Sequence, residues 1–175
     1  MAQQVGGVVV REVRPDEVAV LGRVTREAYV ALGHPLPDAY LAELEDVGAR
    51  AAAAVVLVAV DADADAAAAD VLGGLTYVED APNPFAEWDS PDWAGFRMLG
   101  VAPSAQRRGV GEALVRECVI RARAASKTRV VLHSATWMAG AHRLYRRLGF
   151  HRAPELDWSP APDVPLWGFA LELVP

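Results

Sequence analysis

Apolar positions recur along the chain with two different periods, and their alternation predicts a mixed α/β domain. Val8 to Val13 is a β-branched run that reads as a first strand. After Arg14-Pro15, Asp16 is placed to cap a helix carrying Val18, Leu21, Thr25, Ala28, Tyr29 and Leu32 at helical spacing. His34-Pro35-Leu36-Pro37 interrupts that pattern, and Asp38 is placed to cap a second helix with Leu41, Leu44 and Val47 on one face. Val55 to Val60 and Val71 to Val78 read as strands joined by the Asp/Ala-rich segment from Asp61 to Asp70. Asp80 to Trp93 is a long connection rich in Pro, Asp and Trp, of the length that often carries function.

The second half repeats the alternation more sharply. Phe96 to Val101 predicts a strand, and a helix follows from Gly109 with Val110, Leu114, Val115, Cys118, Val119 and Ala122 on its inner face. Val130 to His133 is a short strand, and Met138 to Leu148 a helix aligning Ala141, Leu144, Tyr145 and Leu148. Gly149 suits the left-handed residue that ends such a helix, with Phe150 as its apolar contact. Trp167, Phe169, Leu171 and Leu173 alternate along a last strand. With no repeat and no linker, residues 1–175 read as one domain.

Composition narrows the partners. At 53% hydrophobic and 23% charged residues the chain is globular in type, and no run of about 18 apolar residues is long enough to span a membrane. Met1 to Val10 lacks a basic stretch leading into an apolar core, so a cytoplasmic protein is expected. The net charge of −6 argues against nucleic acid as the main partner. The one cysteine, Cys118, lies among Leu114, Val115, Val119 and Ala122, which favours packing over catalysis. Asp61, Asp63 and Asp65 imitate the start of a calcium loop, but Ala66 stands where its turn needs glycine and Leu72 where it needs a bidentate carboxylate. No metal site is expected, and a homodimer is the default assembly of soluble enzymes.

The candidate chemistry lies at Gln106-Arg107-Arg108-Gly109-Val110-Gly111, between the strand Leu99-Gly100-Val101 and an amphipathic helix. Strand, glycine-bearing turn and helix start together make an anion cradle. Backbone N–H groups point outward, the helix dipole is positive there, and glycine lets a phosphate approach closely. Arg107 and Arg108 add charged donors. A P-loop would need Lys-Ser/Thr where Glu112-Ala113 stands, and a dinucleotide fingerprint would need glycine where Leu114 stands.

These residues resemble the GNAT acetyltransferase superfamily. Its signature Gln/Arg-x-x-Gly-x-Gly/Ala matches Gln106 to Gly111, and its preceding Leu-x-Val matches Leu99-Gly100-Val101. Its Ala-x-x-Leu-Tyr-x-x-x-Gly-Phe element matches Ala141, Leu144, Tyr145, Gly149 and Phe150. The match is firm over residues 96–152 and looser elsewhere. The resemblance implies a mixed sheet of about six to seven strands flanked by about four helices, with central strands splaying to form a cleft for acetyl-CoA. It implies backbone contacts from Leu99 and Val101 to the pantetheine arm, with the Val101 N–H polarising the thioester carbonyl. Gln106, Arg107, Arg108, Gly109, Val110 and Gly111 would hold the pyrophosphate, and Tyr145 would be the general acid that protonates the departing thiolate.

Two positions depart from the family pattern. Met138 stands where many relatives carry Asn, and Phe96, Arg97 and Met98 offer no carboxylate on the strand before Leu99. A primary amine with a pKa of about 10.4 is neutral in about one part per thousand near pH 7.4, so a proton acceptor is required. Glu79, Asp80, His133 and Ser134 are candidates, with a chain of waters as a further route, and the base stays open. The resemblance places the acceptor beside His34 to Asp38 and the connection from Asp80 to Trp93. There Glu79, Asp80, Glu87, Asp89 and Asp92 surround Trp88 and Trp93, a combination suited to a cationic amine. The expected reaction is acetyl transfer from acetyl-CoA to a primary amine of a small molecule or peptide. Alternatives are a CoA-binding domain without turnover, another acyl-CoA donor, or acetylation of protein N-termini.

Overall fold

The computed structural model describes residues 3–5, 7–62 and 70–173. Among them the chain forms eight strands of a mixed sheet and five α-helices, an α/β fold. The chain divides into two compact units, Met1–Tyr77 with Met98–Glu117, and Val78–Arg97 with Cys118–Pro175. Two strands and one helix run from one unit into the other.

In the first unit, β1 (Gln3–Val5), β2 (Val8–Glu12), β3 (Val55–Asp61) and β4 (Val71–Val78) are successive antiparallel neighbours. The far end of β5 (Trp93–Val101) follows β4 in the order. β3 is buried on both faces over Val56–Val60, which is why it reads as an unbroken apolar run rather than an alternating one. Leu21 of α1 (Val18–Val30) and Val47 of α3 (Val47–Ala53) pack on Val56, Val58 and Val60. Leu21, Thr25 and Ala28 are buried along one stripe of α1, the spacing that the sequence shows.

Several boundaries differ from expectation for local reasons. The anticipated second helix is two helices, α2 (Asp38–Glu45) and α3, because Asp46 leaves helical geometry at ψ 71° and caps α3 by accepting the Ala49 N–H at 2.9 Å. Val47 therefore begins a new helix. Asp38 is the first helical residue of α2, behind Pro37 at the cap. That division brings the helices to five rather than four. The expected six to seven strands become eight through two short pieces, the three-residue β1 and the two-residue β7. Asp63 and Asp65 lie outside the described residues.

The residue at the N-cap of α1 is Glu17 rather than Asp16, and its side chain turns back toward Arg14 instead of capping that helix. Residues Pro15–Glu17 form a 3-10 turn, and the Glu17 carboxylate accepts the Arg14 N–H at 2.8 Å. The same carboxylate pairs Arg11 through both guanidinium nitrogens, at 2.6 and 2.7 Å. Arg11, then the Arg14 N–H, hold the Glu17 carboxyl below its ordinary range against the opposing effect of burial.

The second unit is built on the start of β5, β6 (Arg129–Ala135), β7 (His151–Arg152) and β8 (Leu166–Glu172). β5 and β6 are parallel, in register at Trp93–Gly95 against Arg129–Val131, while β6 pairs β8 antiparallel along its whole length. α5 (Ala139–Arg147) ends at Gly149, whose φ of 92° suits a residue without Cβ. Phe96, Tyr145, Phe150 and Phe169 form an aromatic cluster with ring centroids 5.7–6.3 Å apart. Cys118, in α4 (Val110–Ala124), is fully buried, as its apolar flanks indicate. No helix among the described residues is long and apolar enough to cross a membrane.

A carboxylate held below its ordinary value contributes stability that is complete above pH 4.5 and is lost as the pH falls through its folded-state value. Glu17→Gln should remove about 1–3 kcal/mol at pH 7, and its stability difference from the parent should shrink on acidification. Urea unfolding at pH 7 and pH 3 measures both, and a difference that persists unchanged at pH 3 would contradict this assignment.

Candidate functional site

In the first unit the site is built by the end of β5 and the turn that follows. Met98 takes a left-handed φ of 56°, uncommon for a residue with a side chain, and breaks the pleat just before Leu99. Beyond it Leu99 and Val101 are half-buried while Gly100 is buried against Thr25 and Ala28 of α1. The Ala102 N–H bonds the Leu72 carbonyl of β4 at 2.8 Å, so the strand stays tied to the sheet up to the turn.

After a 3-10 turn at Pro103–Ala105, Gln106 is extended and both Arg107 (φ 64°) and Gly109 (φ 81°) are left-handed. Two left-handed residues in four reverse the chain twice, and the Gly109 carbonyl accepts the Ala113 N–H at 2.9 Å to start α4. The first N–H groups of α4 have no partner within their own helix. Val110 is 1% exposed and anchors the helix start inward, so its contribution to a ligand is its backbone. Arg107 and Arg108 are exposed. Arg108 is held at 2.7 Å by Asp61, at the end of β3, a contact across 47 residues of sequence that no local pattern announces. The arrangement can bind an anion: backbone donors, a positive helix end and two guanidinium groups on one turn.

In the second unit a polar cluster joins the connection 79–92 to β5 and β6. Glu87 meets Arg97 through Oε1 at 3.0 Å and His133 Nδ1 through Oε2 at 2.9 Å. The other ring nitrogen of His133 donates to the Leu156 carbonyl at 2.8 Å. The His133 side chain is 1% exposed and that of Glu87 is 9% exposed. Both ring nitrogens of His133 are thus taken up by partners, leaving neither to a substrate amine. Trp88 is buried against Gly95, where a Cβ would run into its ring and the Val131 carbonyl. Trp93 lies under Arg129, whose guanidinium carbon is 4.8 Å from the ring centroid.

The family model described as "Acetyltransferase (GNAT) family" matches residues 23–150. The chain belongs to the GNAT acetyltransferase family. It is therefore an acyltransferase by family. Solved structures agree on the fold. A GCN5-related N-acetyltransferase from Kribbella flavida is 23% identical, with 95% of this chain and 98% of that one covered and a TM-score of 0.70. A GNAT acetyltransferase from Brucella melitensis, solved with acetyl-CoA, is 23% identical, covering 97% and 90% with a TM-score of 0.62. The ribosomal-protein-S18-alanine N-acetyltransferase from Escherichia coli is 15% identical, covering 94% and 93% with a TM-score of 0.64. No match was found among curated protein sequences.

Set on this GNAT domain, the sequence-derived residues fall into distinct settings. Leu99, Val101 and Gln106 to Gly111 are contiguous at the end of β5 and the start of α4. Tyr145 is 4% exposed inside the aromatic cluster, and burial pushes its phenol well above the ordinary value. Such a phenol keeps its proton at any physiological pH. Ser134 is buried with His142, whose Nε2 is 3.1 Å from the hydroxyl. Burial holds the His142 imidazole below its ordinary value and so uncharged near pH 7. Glu79 and His34 are exposed, and Asp80 pairs with Lys127. Among the described residues no group of three His, Cys, Asp or Glu side chains could hold a metal. The sequence reading did not single out Arg97, which carries the Glu87 carboxylate on the strand that lacks one of its own.

Glu87→Ala would leave Arg97 and a buried His133 without their shared carboxylate, and should cost about 2–4 kcal/mol of unfolding free energy in urea. A loss below about 0.5 kcal/mol would place the trio with ordinary surface ion pairs.

Proposed function

We propose that the protein transfers an acetyl group from acetyl-CoA to a primary amine of a small molecule or peptide, by direct attack within a ternary complex. The observation that carries this reading is the turn at Gln106–Gly111, where left-handed Arg107 and Gly109 deliver the donor-rich end of α4. A pyrophosphate is the ligand that such a cradle suits, and the Brucella melitensis relative was solved with acetyl-CoA.

The amine nitrogen attacks the thioester carbonyl carbon. The carbonyl oxygen gains charge, which the Val101 N–H is assigned to stabilise. The carbon–sulfur bond then breaks, and Tyr145 gives its proton to the leaving thiolate while the nitrogen releases one to a base. Burial keeps the Tyr145 phenol protonated, as a proton donor must be, while making it a weaker acid. The occupied ring nitrogens of His133 favour a proton acceptor other than that imidazole.

Thiol release from acetyl-CoA across a panel of amines and peptides, with calorimetry of acetyl-CoA binding, tests the reading. Gly111→Trp should weaken binding by about a hundredfold or more with the fold retained by circular dichroism. Tyr145→Phe should lower kcat by about a hundredfold and shift the dissociation constant of acetyl-CoA by less than about threefold. Tight binding with no thiol release from any acceptor would make the protein a CoA-binding module instead, and absence of binding would defeat the proposal.

A further inference from the structure

α5 is a helix that depends on its packing. It has nine residues, Met138 at its N-cap makes no side-chain cap, and Gly140 lies in its first turn. Helices this short are marginal without packing partners. Arg143, Arg146 and Arg147 of this helix are all exposed. Its two buried residues are His142 and Tyr145, three positions apart on one face. The seat of the helix, and with it the direction of Tyr145, is therefore set by what these two rings touch.

The Tyr145 ring meets Phe96, Phe150 and Phe169 at centroid distances of 6.0, 6.1 and 5.7 Å. A hydrogen bond sets direction more sharply than a ring contact does. His142 supplies one: its Nε2 hydrogen-bonds Ser134 Oγ on β6 at 3.1 Å, and the ring also bonds the Ala135 carbonyl. The imidazole stacks on Trp167 of β8, 5.3 Å away at 28°, and leans on Phe169 at 5.1 Å. Phe169 thus touches both buried rings of α5. His142 and Ser134 are both buried, so water does not compete for the bond between them.

We propose that His142 is a positioning residue for proton transfer: its bond to Ser134 fixes the rotation of α5 about its axis, and so aims the Tyr145 phenol at the departing sulfur. The proton transfer itself rests on the acetyl-transfer reading with Tyr145 as its acid, whereas the hold of His142 on Tyr145 stands on the geometry. A misplacement of about 1 Å at a reacting group costs about a hundredfold in rate, so a small turn of this helix is enough to matter.

Two substitutions separate the hydrogen bond from the packing. The amide of His142→Gln reaches the place of Nε2 and keeps the bond to Ser134, while His142→Phe keeps the ring stack and loses the bond. With the best acceptor of an amine panel, His142→Phe should lower kcat by about tenfold or more. The KM of the acceptor and the dissociation constant of acetyl-CoA should stay within about threefold, as should kcat in His142→Gln. Ser134→Ala removes the same bond from the strand side and should match His142→Phe, standing in for it where that variant fails to fold. In a Tyr145→Phe background His142→Phe should cost nothing further, because the two residues act as one unit. An equal loss in both backgrounds overturns the proposal. So does an undiminished kcat in folded His142→Phe, or a loss in His142→Gln as large as in His142→Phe.

Nuclear Overhauser contacts between the Tyr145 and Phe169 rings, recorded for the same variants, do not depend on turnover. They should change in His142→Phe and persist in His142→Gln, and contacts unchanged in His142→Phe overturn the hold of His142 on Tyr145. Full kcat in Tyr145→Phe, or no thiol release at all, defeats the acid reading instead. Ring contacts that change in that case leave the hold of His142 standing.

Discussion

A helix can present its first N–H groups to a ligand only if the chain arrives from a direction that leaves them uncovered, and that constraint governs the candidate site. Between β5 and α4 the chain meets it with two left-handed residues, Arg107 and Gly109, after an extended Gln106. Glycine adopts that geometry freely, while Arg107 adopts it at a steric cost of about 1–2 kcal/mol. Burial of Val110 inward and the Arg108–Asp61 pair on the outside hold the turn from both sides. The result is a rigid row of donors, whose worth to an anion comes from being arranged before the anion arrives.

Local periodicity made the sheet and helices legible. β3 and β4 appear in the sequence as apolar runs, and α4 and α5 as stripes at helical spacing, because both patterns are imposed by which face each element buries. The course of the turn was legible because it is set by consecutive residues, with Gly109 supplying a left-handed position. What escaped was set by side chains far apart in sequence. Asp46 divides a helix that apolar spacing alone would continue, and Glu17 stands at the N-cap of α1 in place of Asp16, its carboxylate drawn back to Arg11 on β2.

The connection 79–92 shows the same limit more sharply. In sequence its carboxylates and tryptophans suggest an open surface for a cation. In the structure Trp88 is buried against Gly95, Glu87 is shared by Arg97 and His133, and Asp80 is paired with Lys127. Charges that look available one by one are neutralised by partners 10 to 47 residues away. Arg50 is the converse case, a cation in an alanine-rich stretch whose burial against Thr76 and the Leu44 carbonyl no local pattern announces.

We propose that the backbone of this turn is the cofactor's anchor. Amide chemical shifts followed during titration with CoA test it directly. The largest perturbations should fall on the N–H groups of residues 107–112, and adenosine 3′-phosphate 5′-diphosphate, which keeps the pyrophosphate but lacks the pantetheine arm, should reproduce them. Saturating CoA that leaves those amides unmoved while shifting others would contradict it.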